Sequence, residues 1–218
     1  IGGIGPAATV FYYERLSRAA ASSETQIDLT IVEAGLSTLL GNLRSGDRAS
    51  QAAEFACLTS RLADAGADCA VITSLAGHFC IDELVHLSPI PVFSALPALD
   101  AHFGSEGLKR VGLLGTRVVM ESGLYGGVTS CNLVAPVGSD LQATHEAYLA
   151  LATAGEASTS EAAFFHDMGR KLVRDQSADA IALAGTDLYI AFDGADVPYK
   201  VIDCAAAHVN AIIDAAGP

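Results

Sequence analysis

The sequence predicts an α/β fold of two pseudo-symmetric domains, each a small parallel sheet flanked by helices, with an interdomain cleft. Three observations carry this. Short apolar runs alternate with longer helix-like stretches, the pattern of a parallel sheet covered by helices. The chain also resembles itself: Ala67-Asp68-Cys69-Ala70-Val71-Ile72-Thr73-Ser74 lines up with Ala178-Asp179-Ala180-Ile181-Ala182-Leu183-Ala184-Gly185, and Ile1-Gly2-x-x-Gly5 with Val111-Gly112-Leu113-Leu114-Gly115 at nearly the same spacing. Finally, 218 residues, 51% hydrophobic and 17% charged, suffice for two cores. The domains are expected at 1–100 plus 205–218, and at 101–204.

The elements follow in order. Ile1-Gly2-Gly3-Ile4-Gly5-Pro6 reads as the end of a strand entering a turn, with a few strand residues upstream and no charged opening of a secretory signal. Pro6 suits the first turn of a helix over Ala7–Ala21, whose Val10, Tyr13, Leu16 and Ala20 are expected to face the core. Strands follow near Asp28–Glu33, Cys69–Thr73 and Val92–Ser94, with helices near Ser50–Ala65 and Cys80–His86. In the second half, strands fit Arg110–Leu114, Ala180–Ala184 and Lys200–Ile202, and helices fit Ser122–Gly126, Asp140–Ala154 and Ser158–Gln176. The segment after Ile202, Asp203-Cys204-Ala205 followed by His208–Ala216, reads as a last helix, expected to return to the first half and leave a cleft between the domains. Ligands of such sheets sit outside the carboxyl ends of the strands. Four loops there matter: Gly2–Thr9, Thr73–His78, Gly115–Ser122 and Ala184–Asp187. The internal likeness pairs Thr116 with Pro6.

Composition narrows the partners. A net charge of −13 repels phosphate backbones and anionic lipid surfaces, so neither nucleic acid nor membrane is expected as a partner. Mean hydropathy is +0.39, yet every window of about 18 residues is interrupted by glycine, charge or polar residues. Five scattered cysteines, Cys57, Cys69, Cys80, Cys131 and Cys204, form neither a disulfide framework nor a C-x-x-C metal pair, which points to a reducing, cytoplasmic address and no metal. Phe164 and Phe165, if exposed, would suit a homodimer.

The loops offer polar chemistry without a decisive motif. Gly2-Gly3-Ile4-Gly5-Pro6 lacks the glycine spacing of a dinucleotide site and the lysine of a phosphate loop. Its backbone N–H groups at a helix start suit a carboxylate, or simply a tight turn. Ser74 and His78 lie close in sequence, but without a nucleophile-elbow motif or a third triad member. Thr186 and Asp187 bring a hydroxyl and a carboxylate to a strand end, for a ligand or a helix cap.

At these loops the chain resembles the aspartate/glutamate racemase family throughout its length. Gly2-Gly3-Ile4-Gly5-Pro6-Ala7-Ala8-Thr9 is similar to the family's G-G-M-G-P-x-A-T. Val111-Gly112-Leu113-Leu114-Gly115-Thr116 and Ser122-Gly123-Leu124-Tyr125 resemble V-G-L-L-A-T and S-G-x-Y, and Val201-Ile202-Asp203-Cys204 resembles V-I-D-S. The resemblance implies substrate in an interdomain cleft, no cofactor, and two opposed cysteines in P-C-N-T-A-H and G-C-T-E, one removing the Cα proton and one returning a proton. Those places here read Thr73-Ser74-Leu75-Ala76-Gly77-His78 and Ala184-Gly185-Thr186-Asp187, so Ser74 and Gly185 stand where the two cysteines would. Cys80, in a first helical turn whose dipole favours a thiolate, lies about 200° around a helix from His78 and is not aimed like Ser74. The distal-carboxylate cation of aspartate-type members is missing from Glu33–Leu40, leaving Arg44 and Arg48 farther on, and the family's lysine-bearing helix meets Tyr148–Thr153 without a lysine.

The expected function is cofactor-independent, isomerase- or racemase-like chemistry α to the carboxylate of a small carboxylic or amino acid, not by two thiols. The alternatives are a lyase or decarboxylase, or a relative that binds a small carboxylate without catalysis. Ser74, His78, Thr186 and Asp187 are the expected catalytic groups, with Gly3, Ile4, Leu75, Ala76, Thr116 and Gly185 contacting the ligand.

Overall fold

The computed structural model describes residues 1–22 and 27–217. It forms two compact units, Ile1–Ser94 with Val209–Pro218, and Ala95–His208. Both are α/β with parallel pairing.

In the first unit, Ile1 and Gly2 run between two neighbours. The Ile1 amine donates to the Val71 carbonyl (2.6 Å) and the Thr73 amide to the Ile1 carbonyl (3.1 Å). On the other edge the Gly2 amide donates to Val32 and the Ala34 amide to Gly2, around a parallel bridge between Gly2 and Glu33. The strand expected at Asp28–Glu33 is reduced to this bridge. Strand β1 (Ala70–Val71) pairs in parallel with β2 (Val92–Phe93). Across the unit the order is therefore 32–34, 1–2, 70–73, 92–93.

Helix α1 (Pro6–Ser22) corrects the expected core face. Val10 and Tyr13 are about half exposed, whereas Ala8, Phe11, Tyr12 and Leu16, at i, i+3, i+4 and i+8, are buried. The helix is apolar on two sides, and spacing alone does not say which side meets the core. A helix the sequence did not reveal, α2 (Leu36–Ser45), ends at Gly46 in the left-handed conformation; α3 (Arg48–Asp64) follows, with Asp47 accepting the Ser50 amide as its N-cap. The helix expected over Cys80–His86 is a 3₁₀ segment, Ala76–Cys80, running into α4 (Ile81–Leu87).

The second unit opens with α5 (Ala95–Ser105), also unforeseen, and centres on β3 (Arg110–Leu114), found where the sequence placed it and buried from Val111 on. With β4 (Asn132–Val134), β5 (Ala180–Leu183) and β6 (Lys200–Asp203) it makes a parallel sheet in the order β4-β3-β5-β6, with Leu114 opposite Leu183. The helix expected at Ser122–Gly126 lies earlier, as α6 (Arg117–Glu121); Gly123, Leu124 and Tyr125 take φ of 56°, 52° and 59°, which an α-helix cannot continue. Helices α7 (Ser139–Ala154) and α8 (Thr159–Gln176), the latter opened by a Ser158–Glu161 capping box, pack Leu151, Phe165 and Leu172 with Ile181 and Leu183. Phe165 is fully buried and Phe164 packs partly buried against this core, so neither offers the exposed surface on which a homodimer was argued. A short α9 (Tyr189–Phe192) follows β5, and α10 (Cys204–Ala216) starts directly after β6.

The two strand orders are the same, and the pairing fixes their register. Ile1 lies between Val71 and Thr73 on one unit's neighbouring strand, as Leu114 lies opposite Leu183 in the other. Ile1 thus corresponds to Leu114 rather than Val111, and Gly3, not Pro6, holds the place of Thr116. Among the described residues no helix is long and apolar enough to cross a membrane.

Candidate functional site

In each unit the central strand connects to a neighbour on one side while the next strand joins on the other. Such a switch leaves a crevice at the carboxyl ends of the two strands. In the second unit the switch point lies between β3 and β5; in the first it lies between 1–2 and 70–73. All ten residues singled out from the sequence belong to the turns leaving these strands. Gly3, Ile4, Ser74, Leu75, Ala76 and His78 gather in the first unit, and Thr116, Gly185, Thr186 and Asp187 in the second.

The first half-site is closed upon itself. Gly3 has φ +82°, and its amide donates to Thr9 Oγ1 (3.0 Å), which in turn donates to the Gly5 carbonyl (3.1 Å). The chain from Ile72 to Cys80 is buried without a break. His78, 1% exposed, bonds through Nδ1 to the Ser74 carbonyl (2.9 Å), and burial pushes its imidazole down to about 4, against the partial support of that bond. Cys80 corrects an expectation. Although it precedes α4, burial and then the Glu83 carboxylate push its thiol up to about 12, so it carries no thiolate near neutral pH. Its Sγ faces the Gly77 carbonyl at 3.7 Å.

The second half-site is left open in its hydrogen bonding. The hydroxyl oxygens of Thr116 and Thr186 are buried and have no hydrogen-bond partner among the described residues. The two loops are neighbours: the Gly185 amide donates to the Leu114 carbonyl at 2.9 Å, two residues before Thr116. Asp187, 1% exposed, accepts from the Tyr148 hydroxyl at 3.0 Å. Burial, and then the Asp187 carboxylate, hold the Tyr148 phenol well above its usual range; the nearby Thr186 hydroxyl opposes this without reaching hydrogen-bond geometry. Tyr148 is the residue sequence reasoning missed. It comes from α7, far along the chain, and only tertiary packing brings it here.

The cations that might have served a second carboxylate are engaged elsewhere. Arg48 is bidentate to Glu83 (2.6 and 3.0 Å), Arg44 bonds the Leu40 carbonyl, and Arg117 bonds Glu121 and Gln142. Among the described residues no cluster of three or more His, Cys, Asp or Glu forms a metal-binding group.

In each unit polar loops gather at the switch point of a parallel sheet, the place where open α/β sheets most often take ligands. The chain belongs to the Asp/Glu/hydantoin racemase family, whose profile matches residues 1–212. Its fold is similar to that of a candidate Asp/Glu racemase from Yersinia pestis (TM-score 0.80, 22% identity, covering 99% of this chain and 96% of that one). An aspartate racemase homologue from Pyrococcus horikoshii (0.75, 19%, 100% and 97%) and the aspartate racemase of Picrophilus torridus (0.70, 19%, 99% and 92%) are also similar. Comparison with curated proteins finds no match.

Proposed function

We propose that this chain binds a small carboxylic or amino acid at its strand ends and transfers a proton α to the carboxylate, from one face, with neither a cofactor nor a pair of thiols. The observation that carries this is the pair of buried, unpartnered hydroxyls of Thr116 and Thr186 at a switch point. A buried hydroxyl without a partner costs about 1–3 kcal/mol, and a carboxylate oxygen is the acceptor both O–H groups lack.

Family membership supports the isomerase class, and the resemblance at Thr73–His78 and Ala184–Asp187 supports reading Ser74 and Gly185 as the positions of two lost thiols. Gly185 carries no proton-transferring group, and Cys80 is no substitute. Transfer is then left to Ser74 and His78. A group on one face takes a proton and returns one to that same face, which exchanges the hydrogen with solvent but retains configuration.

The test is incubation in heavy water with a panel of carboxylic and amino acids. Deuterium should enter at Cα without inversion, and entry should fail in Ser74→Ala or His78→Ala. Racemisation of aspartate or glutamate by the unaltered chain would overturn the reading. Binding without turnover is a second reading, favoured by one observation: His78 near 4 and Cys80 near 12 are both far from a base poised at neutral pH. Thermal stabilisation by an acid with no exchange at all would select it.

A further inference from the structure

Position 185 has no side chain because Tyr148 occupies the space. A Cβ built on Gly185 would fall 2.2 Å from Tyr148 Cε2 and 2.7 Å from Cδ2 and Cζ, closer than real contacts allow. The ring therefore lies across the backbone just past the carboxyl end of β5. Its tilt is fixed by the hydroxyl's bond to Asp187 Oδ2, and that bond engages one oxygen of the buried carboxylate.

Thr186 lies near the hydroxyl of this ring, and the neighbouring strand's loop, packed on Gly185 at Gly115, carries Thr116; neither threonine hydroxyl has a hydrogen-bond partner among the described residues. Arg117, the cation next to Thr116 in the chain, is held by Glu121 and Gln142. The half-site thus offers two O–H donors for one carboxylate, an aromatic edge beside them, and the Asp187 carboxylate. A second ligand carboxylate there would be desolvated without a counter-charge and repelled by Asp187. An apolar substituent would instead bury its surface on the ring.

We propose that Tyr148 is the specificity-determining residue of this site, and that it selects monocarboxylic acids with an apolar substituent over dicarboxylic acids. The proposal rests on the acid-binding reading above, whereas the packing beneath it does not, so the experiment separates them. Melting midpoints are measured for the unaltered chain, Gly185→Ala, Tyr148→Ala and the double variant, each alone and with isovalerate or succinate at equal concentration; Tyr148→Leu replaces Tyr148→Ala if the latter does not fold.

Without ligand, Gly185→Ala should lower the midpoint by about 4–8 °C where Tyr148 is present, and by less than half as much where it is trimmed. Isovalerate should raise the midpoint of the unaltered chain and succinate should not, and trimming Tyr148 should abolish that preference. Additive losses from the two substitutions would overturn the packing argument. Equal stabilisation by both acids would overturn the selectivity. If neither acid shifts the midpoint while the coupling between 185 and 148 is present, the acid-binding reading fails and takes the selectivity with it.

Discussion

The two units reach the ends of their central strands by the same strand order and finish there differently. In the first, polar atoms at the strand end answer one another: Gly3 to Thr9, Thr9 to Gly5, His78 to Ser74. In the second, Thr116 and Thr186 bury hydroxyls that have no hydrogen-bond partner among the described residues. Buried polar atoms are nearly always satisfied, so the exceptions mark where a fold has kept atoms for something it does not itself contain. On the reading proposed above, the first unit's loops are braced for rigidity and the second unit's are held ready for a ligand.

The strongest way to break this comparison is to disturb the bracing. Gly3→Ala forces an L side chain to φ +82°, and its Cβ would lie 2.3 Å from Glu33 Cγ and 3.0 Å from the Ala34 carbonyl. The Glu33 side chain is exposed and can swing aside; the carbonyl cannot. Strain and crowding together should cost about 2–5 kcal/mol. Chemical denaturation should show that loss, and a change below about 1 kcal/mol would mean that the first turn is not rigid.

A pH series sharpens the same contrast. Burial holds His78 near 4 against 6.5 for an exposed imidazole, so folding favours the neutral ring. Above pH 6.5 the ring is neutral in both states and this contribution is complete. As pH falls from 6.5 towards 4 the unfolded chain binds a proton that the folded chain refuses, and stability drops by about 3 kcal/mol in all. His78→Gln should flatten that slope in urea unfolding measured across the window; an unchanged slope would place the acid sensitivity elsewhere.

Much of this contrast was hidden in the sequence, for physical reasons. Strand β3 was legible to the residue because the run Val111–Leu114 sits between the charge of Arg110 and Gly115. Helix α8 was legible because its cap and its apolar period agree. By contrast, α5 carries Pro97 in its first turn, and no element is expected there from the sequence. Helix α2 contains Gly41, and from its sequence only the want of a cation over Glu33–Leu40 is read, with Arg44 in its last turn. The loops at 74–78 and 184–187 were found because polar residues interrupt apolar runs at matching places, but whether their hydroxyls would be satisfied depends on partners the fold supplies. The contact of Tyr148 with Gly185 is the clearest case: glycine reads as freedom, and only packing shows that a neighbouring ring requires it.

The smallest effects decide most. Thr9→Val removes the acceptor of the Gly3 amide and leaves that group unmet, while the Gly5 carbonyl keeps the Thr9 amide as its donor, and the change should cost about 1–3 kcal/mol. The same substitution at Thr116 or Thr186 deletes a hydroxyl that had no partner while keeping the branched shape. Stability without ligand should stay level or rise by up to about 1 kcal/mol, and stabilisation by a carboxylic acid should be lost. Opposite signs for one chemical change at Thr9 and Thr186 follow only if the hydroxyls serve different masters, the fold in one unit and a ligand in the other. Equal losses at all three positions would mean that Thr116 and Thr186 are satisfied within the protein, and the second half-site would lose its claim to a carboxylate.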